Sequence, residues 1–455
     1  MKTKSFIAVT VVCVLCCTLF GVLLVAGCGK SAGQLDIGWA PPVVVSSSIG
    51  SLGRWVDLYR CRDTIIGINV LRGGLPEGLI LNPDHKSWSK LSFAGAPNGY
   101  VWGCATVDPK NQNILSAKGY AENDQHVVMK AFLGTIAEGS LRDIKEIQWV
   151  VDKKPLLGET APNIKLNDPG MREEIGIDKG IINGSEVYIP FSLAAITVGA
   201  YSSSHGPFNN GVLYSPDFGK TWQMEKISDV EVHAGAYPMC KTEKYNYYFA
   251  GDQPFWSSRK SDDSKWETPQ LIAKTFAISV GWSAETGEGD TVHVCWMDRR
   301  HNKWRFNIDG PPIENDNIYY CRRKDSDSDW SKDVLLSKGL EYCYPPSISA
   351  EGKNVVVVWA GIASADKHHS EYKPNDIYYV TSKNGGETWT KPVKITDKAK
   401  DGIVSGRPKV VLLNGTIHLF YTQGELEKAK ELSPGLTRLN DQPWPIYYTQ
   451  RPFPD

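Results

Sequence analysis

The sequence has almost no net charge, because its 50 Lys and Arg residues are balanced by 51 Asp and Glu residues. No basic stripe and no acidic tail stands out from this balance. Nucleic-acid binding requires a concentrated positive surface, so we expect no nucleic-acid partner. The chain also lacks a glycine-rich phosphate loop, a Ser-His-Asp order and a redox-cofactor motif, and we expect no cofactor.

No complete metal-binding motif is present either. Asp325, Asp327 and Asp329 alternate as at the start of a calcium loop, but the glycine and the terminal glutamate that such a loop requires are missing. The cysteines beyond residue 28 form no C-x-x-C pair. We therefore expect no essential metal.

Six cysteines lie beyond residue 28, and an even number permits disulfides: Cys61, Cys104, Cys240, Cys295, Cys321 and Cys343. Of these, Cys295 and Cys321 fall on strands that we predict to be neighbours, so they are the first pair to expect. The alternative is that the cysteines are free thiols in a large core.

The N-terminus combines Lys2 and Lys4 with an apolar run over residues 6–27, which is followed by Cys28. Val25-Ala-Gly-Cys28 resembles the lipobox of bacterial lipoprotein signal peptides. The resemblance implies a signal peptide over residues 1–27, a lipidated Cys28 that attaches the protein to a membrane of the bacterial cell envelope, and a tether over residues 28–40. An uncleaved spanning helix is the alternative, since the run is long enough to cross a bilayer. In both cases the body, residues 41–455, lies outside the cytoplasm.

A unit of four short strands recurs along this body. Its clearest copy covers residues 344–350, 354–359, 376–380 and 388–395, which we name strands A, B, C and D. Tryptophans mark strand D in six copies: Trp88, Trp149, Trp222, Trp266, Trp330 and Trp389. Short strands that repeat at intervals of tens of residues predict an all-β fold, a single β-propeller with four-stranded blades.

The two ends of the chain complete the count of blades. The chain ends after a strand C near residues 445–448, and a lone strand lies near residues 43–45. If this N-terminal strand supplies the missing strand D, it closes the last blade and the ring. Six tryptophan units and this composite blade predict seven blades, whereas six blades result if the Trp88 and Trp149 units share one.

Two turns between strands C and D have nearly the same sequence. Their shared positions are Ser215, Asp217, Gly219, Thr221 and Trp222 in the first turn, and Ser382, Asn384, Gly386, Thr388 and Trp389 in the second. The Asx side chain accepts backbone N–H bonds, the glycine adopts positive φ and the tryptophan packs the turn onto the core. The pattern S-x-[DN]-x-G-x-T-W resembles the Asp-box (BNR repeat) of the sialidase-like β-propellers.

Two groups of polar residues are candidates for chemistry. Asp298 and Arg300 directly follow a strand B, where an aspartate can act as acid or base and an arginine can bind a carboxylate. The alternative for this pair is an ion pair within the blade that fixes the loop. The second group stands at the starts of strands A, which line the channel of a propeller: Arg54, Arg172, His233, Tyr344 and Arg407.

The resemblance to sialidases implies an arginine cluster that holds the carboxylate of an anionic sugar. The sequence therefore suggests a monomeric exo-glycosidase of sialidase type, with a carbohydrate or glycoconjugate as ligand. The alternative is a non-catalytic propeller that binds a glycan or a protein. A fold supports many activities, so we expect a convergence of carboxylates and arginines in one pocket to separate the two.

Overall fold

The computed structural model describes seven four- to five-stranded antiparallel sheets and almost no helix. The described residues are 35–46, 53–71, 77–92, 104–108, 110–121, 126–137, 139–152, 171–197, 209–227, 238–250, 254–261, 265–273, 279–298, 300, 316–340, 342–362, 375–425 and 444–454. Two 3-10 turns, Glu288–Asp290 and Ala399–Asp401, are the helical elements within these ranges.

The chain forms the sheets, which we number as blades I to VII, in sequence order. Thirty strands build the described part: β1 (Val43–Ser46), which belongs to blade VII; β2 (Gly53–Cys61), β3 (Thr64–Leu71), β4 (Glu77–Leu81) and β5 (Trp88–Leu91) in blade I; β6 (Cys104–Val107), β7 (Asn113–Ala121), β8 (His126–Ala137) and β9 (Ser140–Asp152) in blade II; β10 (Met171–Ile177), β11 (Ile181–Asn183), β12 (Glu186–Thr197), β13 (Asn209–Ser215) and β14 (Gln223–Lys226) in blade III; β15 (Cys240–Lys241), β16 (Tyr245–Ala250), β17 (Phe255–Lys260) and β18 (Gln270–Leu271) in blade IV; β19 (Ser279–Thr286), β20 (Thr291–Asp298), β21 (Asn317–Lys324) and β22 (Val334–Leu335) in blade V; β23 (Tyr342–Cys343), β24 (Ser347–Glu351), β25 (Asn354–Ile362), β26 (Asp376–Ser382) and β27 (Val393–Lys394) in blade VI; and β28 (Ile403–Leu413), β29 (Thr416–Glu425) and β30 (Ile446–Pro452) in blade VII.

The prediction of a seven-bladed propeller is confirmed, and the units of Trp88 and Trp149 belong to separate blades. Strand β1 pairs with β30 in the register Val43↔Tyr448, so the N-terminal strand closes the last blade as expected. The first strands of the blades, which we call inner strands, contact one another around the ring and surround a central channel. Between blades III and IV this contact includes a hydrogen bond from the amide of Met239 to the carbonyl of Lys179 (3.0 Å).

The hydrophobic core of the described residues is divided among the seven interfaces between neighbouring blades. Each interface holds its own cluster of buried side chains; Phe132 lies in the cluster between blades I and II, and Phe420 in the one between blades VII and I. Sheets that pack face to face in this way bury alternate residues from both partners. The fold is therefore held together by packing around the whole ring and not by one central core.

The two turns that resemble each other are closed by their own side chains. In the first turn, the hydroxyl of Ser215 accepts from the amide of Gly219 (2.7 Å), and Asp217 accepts from the amide of Thr221 (2.8 Å). In the second turn, Ser382 and Asn384 accept the corresponding bonds at 2.9 and 3.0 Å. Gly219 and Gly386 both have φ near 82°, a conformation that favours glycine.

The expected disulfide between Cys295 and Cys321 is wrong: both thiols are free, as are those of Cys61, Cys240 and Cys343. Strands β20 and β21 are neighbours, but their register pairs Cys295 with Tyr320 and Val294 with Cys321. A shift of one residue places the two side chains on opposite faces of the sheet. Accordingly, Cys295 packs between blades V and VI, and Cys321 packs between blades IV and V.

Two buried histidines occupy equivalent places in blades V and VII. The Nδ1 atom of His293 lies 2.7 Å from the hydroxyl of Tyr320, and that of His418 lies 2.9 Å from the hydroxyl of Tyr448. Burial lowers the pKa of both rings to about 4, with further repulsion from Arg322 at His293 and from His85 at His418. Both rings are therefore neutral in the folded protein at mildly acidic pH.

We expect each of these histidines to make the protein less stable in acid, by roughly 2–3 kcal/mol between pH 7 and pH 4. The unfolded ring has a pKa near 6.5 and takes up a proton that the folded ring does not. This contribution is thus complete above about pH 6.5 and is lost as the pH falls toward 4. Replacing His418 with Gln should flatten the dependence of the urea midpoint on pH; an unchanged slope would contradict the prediction.

Candidate functional site

Asp298 and Arg300 lie in blade V, at the end of β20 and just beyond it. Asp298 is fully buried and accepts hydrogen bonds from the amide of Arg300 (2.7 Å), its guanidinium (2.7 Å) and the indole of Trp296 (3.1 Å). The guanidinium also pairs with Asp333, beside the fourth strand, and stands 3.8 Å from the ring centroid of Tyr319 on the third strand. This network joins the second, third and fourth strands of one blade, as the ion-pair alternative expects.

The other predicted site residues are spread around the ring. Arg54 and Arg172 lie on the inner strands β2 and β10, but their side chains lie outside the described part of the structure. His233 also lies outside the described residues, as does Cys28. Tyr344 stands between the inner strands β23 and β24, where its ring meets that of Tyr342 edge to face at 4.9 Å. Arg407 lies on the inner strand β28.

Three charged residues that the sequence analysis did not single out lie within electrostatic range of one another among the inner strands. The ammonium of Lys409, on β28 of blade VII, lies 3.0 Å from the carboxylate of Asp57, on β2 of blade I. Asp178 follows β10 of blade III, and its pKa responds to the charges of Asp57 and Lys409. Asp57 and Lys409 each stand four residues before the end of their strand, so they lie at one level. We call Asp57, Asp178, Lys409 and the neighbouring Arg407 the channel cluster.

The channel cluster remains open to water although inner strands surround it. The side chains of Asp57 and Lys409 are 31% and 29% exposed. Exposed fractions of this size mean that water reaches this ion pair. An ordinary structural ion pair in a blade interface is far more enclosed, as Arg259 and Glu225 show at 6% and 14%.

The pKa values of Asp178 and Lys409 in the channel cluster are shifted by their surroundings. The net pKa of Asp178 is raised to about 7. Burial is the largest cause and the charge of Asp57 adds to it, whereas the hydrogen bond from the amide of Lys179 and the charges of Lys409 and Lys179 lower the pKa. For Lys409, burial lowers the pKa, but the charge and hydrogen bond of Asp57 together with the charge of Asp178 outweigh burial and the repulsion from Arg407, so the net pKa is raised. A carboxyl group that keeps its proton near neutral pH beside an ion-paired carboxylate is an arrangement suited to acid–base chemistry.

The backbone around the channel cluster is irregular. Arg407 has φ of 50° and lies in a bulge of β28, between Gly406 and Lys409. A second bulge interrupts β2 at Arg54, on the neighbouring inner strand. Bulges redirect side chains, and positive φ at a non-glycine residue is a strain that tends to occur at functional sites. The two predicted arginines Arg54 and Arg407 therefore stand at distorted points of adjacent inner strands.

Arg60, three residues after Asp57 on β2, connects blade I to blades VI and VII. Its guanidinium donates to the carbonyl of Ala350 in blade VI (2.9 Å) and to that of Leu412 in blade VII. Both acceptors lie close to the ends of their inner strands, where the turns to the second strands begin. Arg60 thus joins three inner strands at the end of the ring that carries these turns.

Within the described ranges, no group of three or more His, Cys, Asp or Glu side chains is placed to hold a metal ion. Asp325, the first aspartate of the calcium-like stretch, accepts from the hydroxyls of Tyr247 and Thr242 at 2.7 Å each. It therefore ties blade V to blade IV. The described part of the chain also contains no helix that is long and apolar enough to cross a bilayer.

The chain was compared with known families, curated proteins and solved structures. No protein-family model matches the chain, and no curated protein matches it. Similar solved structures include an α-L-arabinanase of Penicillium chrysogenum in complex with arabinobiose, with a TM-score of 0.45, 8% identity and coverage of 93% of this chain and 99% of that chain. An ulvan lyase, a polysaccharide lyase, has a TM-score of 0.46 and 10% identity, with coverage of 90% of this chain and 94% of that chain. A mutant sialidase of Trypanosoma rangeli with trans-sialidase activity has a TM-score of 0.41 and 10% identity, with coverage of 92% of this chain and 60% of that chain.

Sequence reasoning missed Asp57, Asp178 and Lys409 because each looks like an ordinary charged residue beside a strand. The available signal was a charge inside an apolar strand pattern, as in Trp55-Val-Asp-Leu-Tyr59 and Pro408-Lys-Val-Val411. Such a charge must be paired or open to water. On the inner strands of this fold, Asp57 and Lys409 are paired with each other and also partly exposed to water.

Proposed function

We propose that the protein acts on carbohydrate outside the cytoplasm, attached to the cell envelope through Cys28, and that the channel cluster is its site. The observation that carries the proposal is the partly exposed ion pair of Asp57 and Lys409 between blades I and VII, with Asp178 of blade III and Arg407 in electrostatic range of it. A pair of carboxyl groups is what glycoside hydrolysis requires, one as acid and one as base or nucleophile.

In this proposal Asp178 is the general acid. Its raised pKa keeps it protonated up to about pH 7, so it can give a proton to the oxygen of the leaving sugar. Asp57 supplies the second carboxylate, which activates water or attacks the sugar. Lys409 and Arg407 hold an anionic group of the sugar. Arg54 and Arg172, whose backbones belong to the inner strands β2 and β10, are further candidates for this role. Asp298 and Arg300 support the wall of blade V.

The test is a hydrolysis screen of the full-length protein against fluorogenic glycosides, sialosides included, in parallel with glycan-array binding. We expect Asp178→Asn and Asp57→Asn each to lower kcat by about 10²–10⁴-fold, the usual size of an acid–base contribution. The activity of the parent protein should fall as the pH rises above about 7, since Asp178 then loses its proton.

The control is Asp329→Asn, which changes an exposed aspartate in the turn before β22 and should leave kcat unaltered. Thermal unfolding of each variant shows whether a loss of activity reflects a loss of fold. Full activity in Asp178→Asn would refute the assigned role. Glycan binding without turnover in the parent protein would favour the non-catalytic alternative.

A further inference from the structure

The N-terminal segment carries an unusual concentration of exposed apolar side chains. Of the seven large hydrophobic residues that are exposed in the described part of the chain, four fall between residues 35 and 44: Leu35 (40%), Ile37 (90%), Val43 (50%) and Val44 (51%). Scattered single residues of this kind are normal on a surface, but their concentration in one short segment points to a site of interaction. We call these four residues the apolar rim.

The backbone that presents the apolar rim is fixed to the propeller. The amide of Asp36 donates to the carbonyl of Lys394 in blade VI (2.8 Å), and the amide of Ala40 donates to that of Gln450 in blade VII (2.9 Å). The carboxylate of Asp36 is buried and pairs with Arg451, and the indole of Trp39 packs edge to face on Tyr379 at 5.5 Å. Residues 35–40, which the sequence analysis places in a tether, thus pack against two blades.

This fixation means that Ile37 is held outward by its anchored neighbours. A side chain of this size that is 90% exposed on an anchored turn has no packing role within the propeller. Strand β1 is the outermost strand of blade VII and exposes Val43 and Val44 on the same segment. The apolar rim therefore follows the outer border of blades VI and VII.

The chain before the rim indicates what covers it. The apolar run of residues 6–27 and Cys28 end only seven residues before Leu35, which limits the separation to about 25 Å even for a fully extended chain. Lys391 and Lys398 are exposed on either side of Lys394, the residue next to Leu35, and lysines near a bilayer surface are attracted to anionic lipids.

We propose that the apolar rim is the surface by which the propeller rests on a lipid bilayer, with Ile37 entering the interfacial region. Apolar side chains on a fixed turn gain the same burial there as on an interfacial helix. The inference rests on the proposed membrane attachment. Contact along the outer border leaves the mouths of the channel facing along the bilayer, where a soluble ligand can enter.

The test places a fluorophore at the rim of the full-length protein. Ile37→Cys carries an environment-sensitive label, and Ser185→Cys, on an exposed turn of blade III, carries the same label as the matched control. Unsubstituted protein provides the labelling blank. All three are reconstituted in vesicles of phosphatidylcholine and phosphatidylglycerol, with and without nitroxide lipids.

We expect the label at position 37 to shift to the blue and to lose most of its emission to the nitroxide lipids, with no change at position 185. Flotation with the vesicles but no quenching at position 37 would overturn the rim contact alone. Failure to float, or full release by Cys28→Ser without any quenching in the parent, would overturn membrane attachment and the rim contact together. Disulfide-linked dimers of Ile37→Cys without lipid quenching would assign the rim to a second copy of the chain and overturn the proposal.

Discussion

Replacing Asp298 with Ala is expected to destabilise the protein by about 3–5 kcal/mol, the usual cost of breaking a buried ion pair from one side. Asp298 is fully buried and accepts from Arg300 and from the indole of Trp296. Without it, part of the guanidinium and the indole N–H lose their acceptor in a closed environment. The measurement is the urea midpoint of unfolding, with the denaturant slope checked for a two-state transition.

The control for this prediction is Asp333→Ala, which removes the second partner of Arg300. The carboxylate of Asp333 is 21% exposed, so water can replace it and the loss should be near 1 kcal/mol. The same pair of variants decides between the two interpretations of Asp298. Unchanged stability with a loss of turnover would assign Asp298 to the chemistry and would contradict the structural role.

The second large effect is expected at Gly386. A Cβ atom there would come within 1.8 Å of the hydroxyl of Tyr320 in the preceding blade, and φ is 82°. Tyr320 has little room to move, because it is buried, hydrogen-bonded to His293 and packed edge to face on Trp389 at 4.7 Å. Gly386→Ala should therefore cost about 2–5 kcal/mol, the sum of left-handed strain and overpacking.

Gly352→Ala provides the matched control, because Gly352 has φ of 58° but open space around its Cα. This variant should cost only the backbone term of about 1–2 kcal/mol. The difference between the two variants, read from urea midpoints, isolates the contact between blades V and VI. Equal losses would mean that Tyr320 yields without cost and that this contact is not tight.

The number of blades could be read from the sequence because each blade repeats its own local signal. The tryptophan that marks the fourth strand, the turn before it and the apolar second and third strands all depend on residues within one blade. The closing pair β1 and β30 followed from the missing strand at the C-terminus. Register was less accessible: a shift of one residue separated Cys295 from Cys321, and nothing local in either strand encodes that shift.

The candidate site was only partly accessible from the sequence, for a related reason. The order of the strands in the sequence predicted that Arg407 lies on an inner strand, and the structure places it on β28. The pairing of Asp57 with Lys409 joins residues at opposite ends of the chain, and Asp178 meets them only because the ring is closed. Such proximity depends on the number of blades and on the level of each residue in its strand.

The closure of blade VII by β1 and β30 has a consequence for biosynthesis. Strand β1 is made among the first residues and β30 among the last, and the two pair directly. The ring therefore cannot close before β30 has been synthesised, and β1 lacks this partner until then. Contacts between such distant residues slow folding. Truncation of β30 should leave β1 and β29 without a pairing partner and make the protein prone to aggregation through these unpaired strand edges.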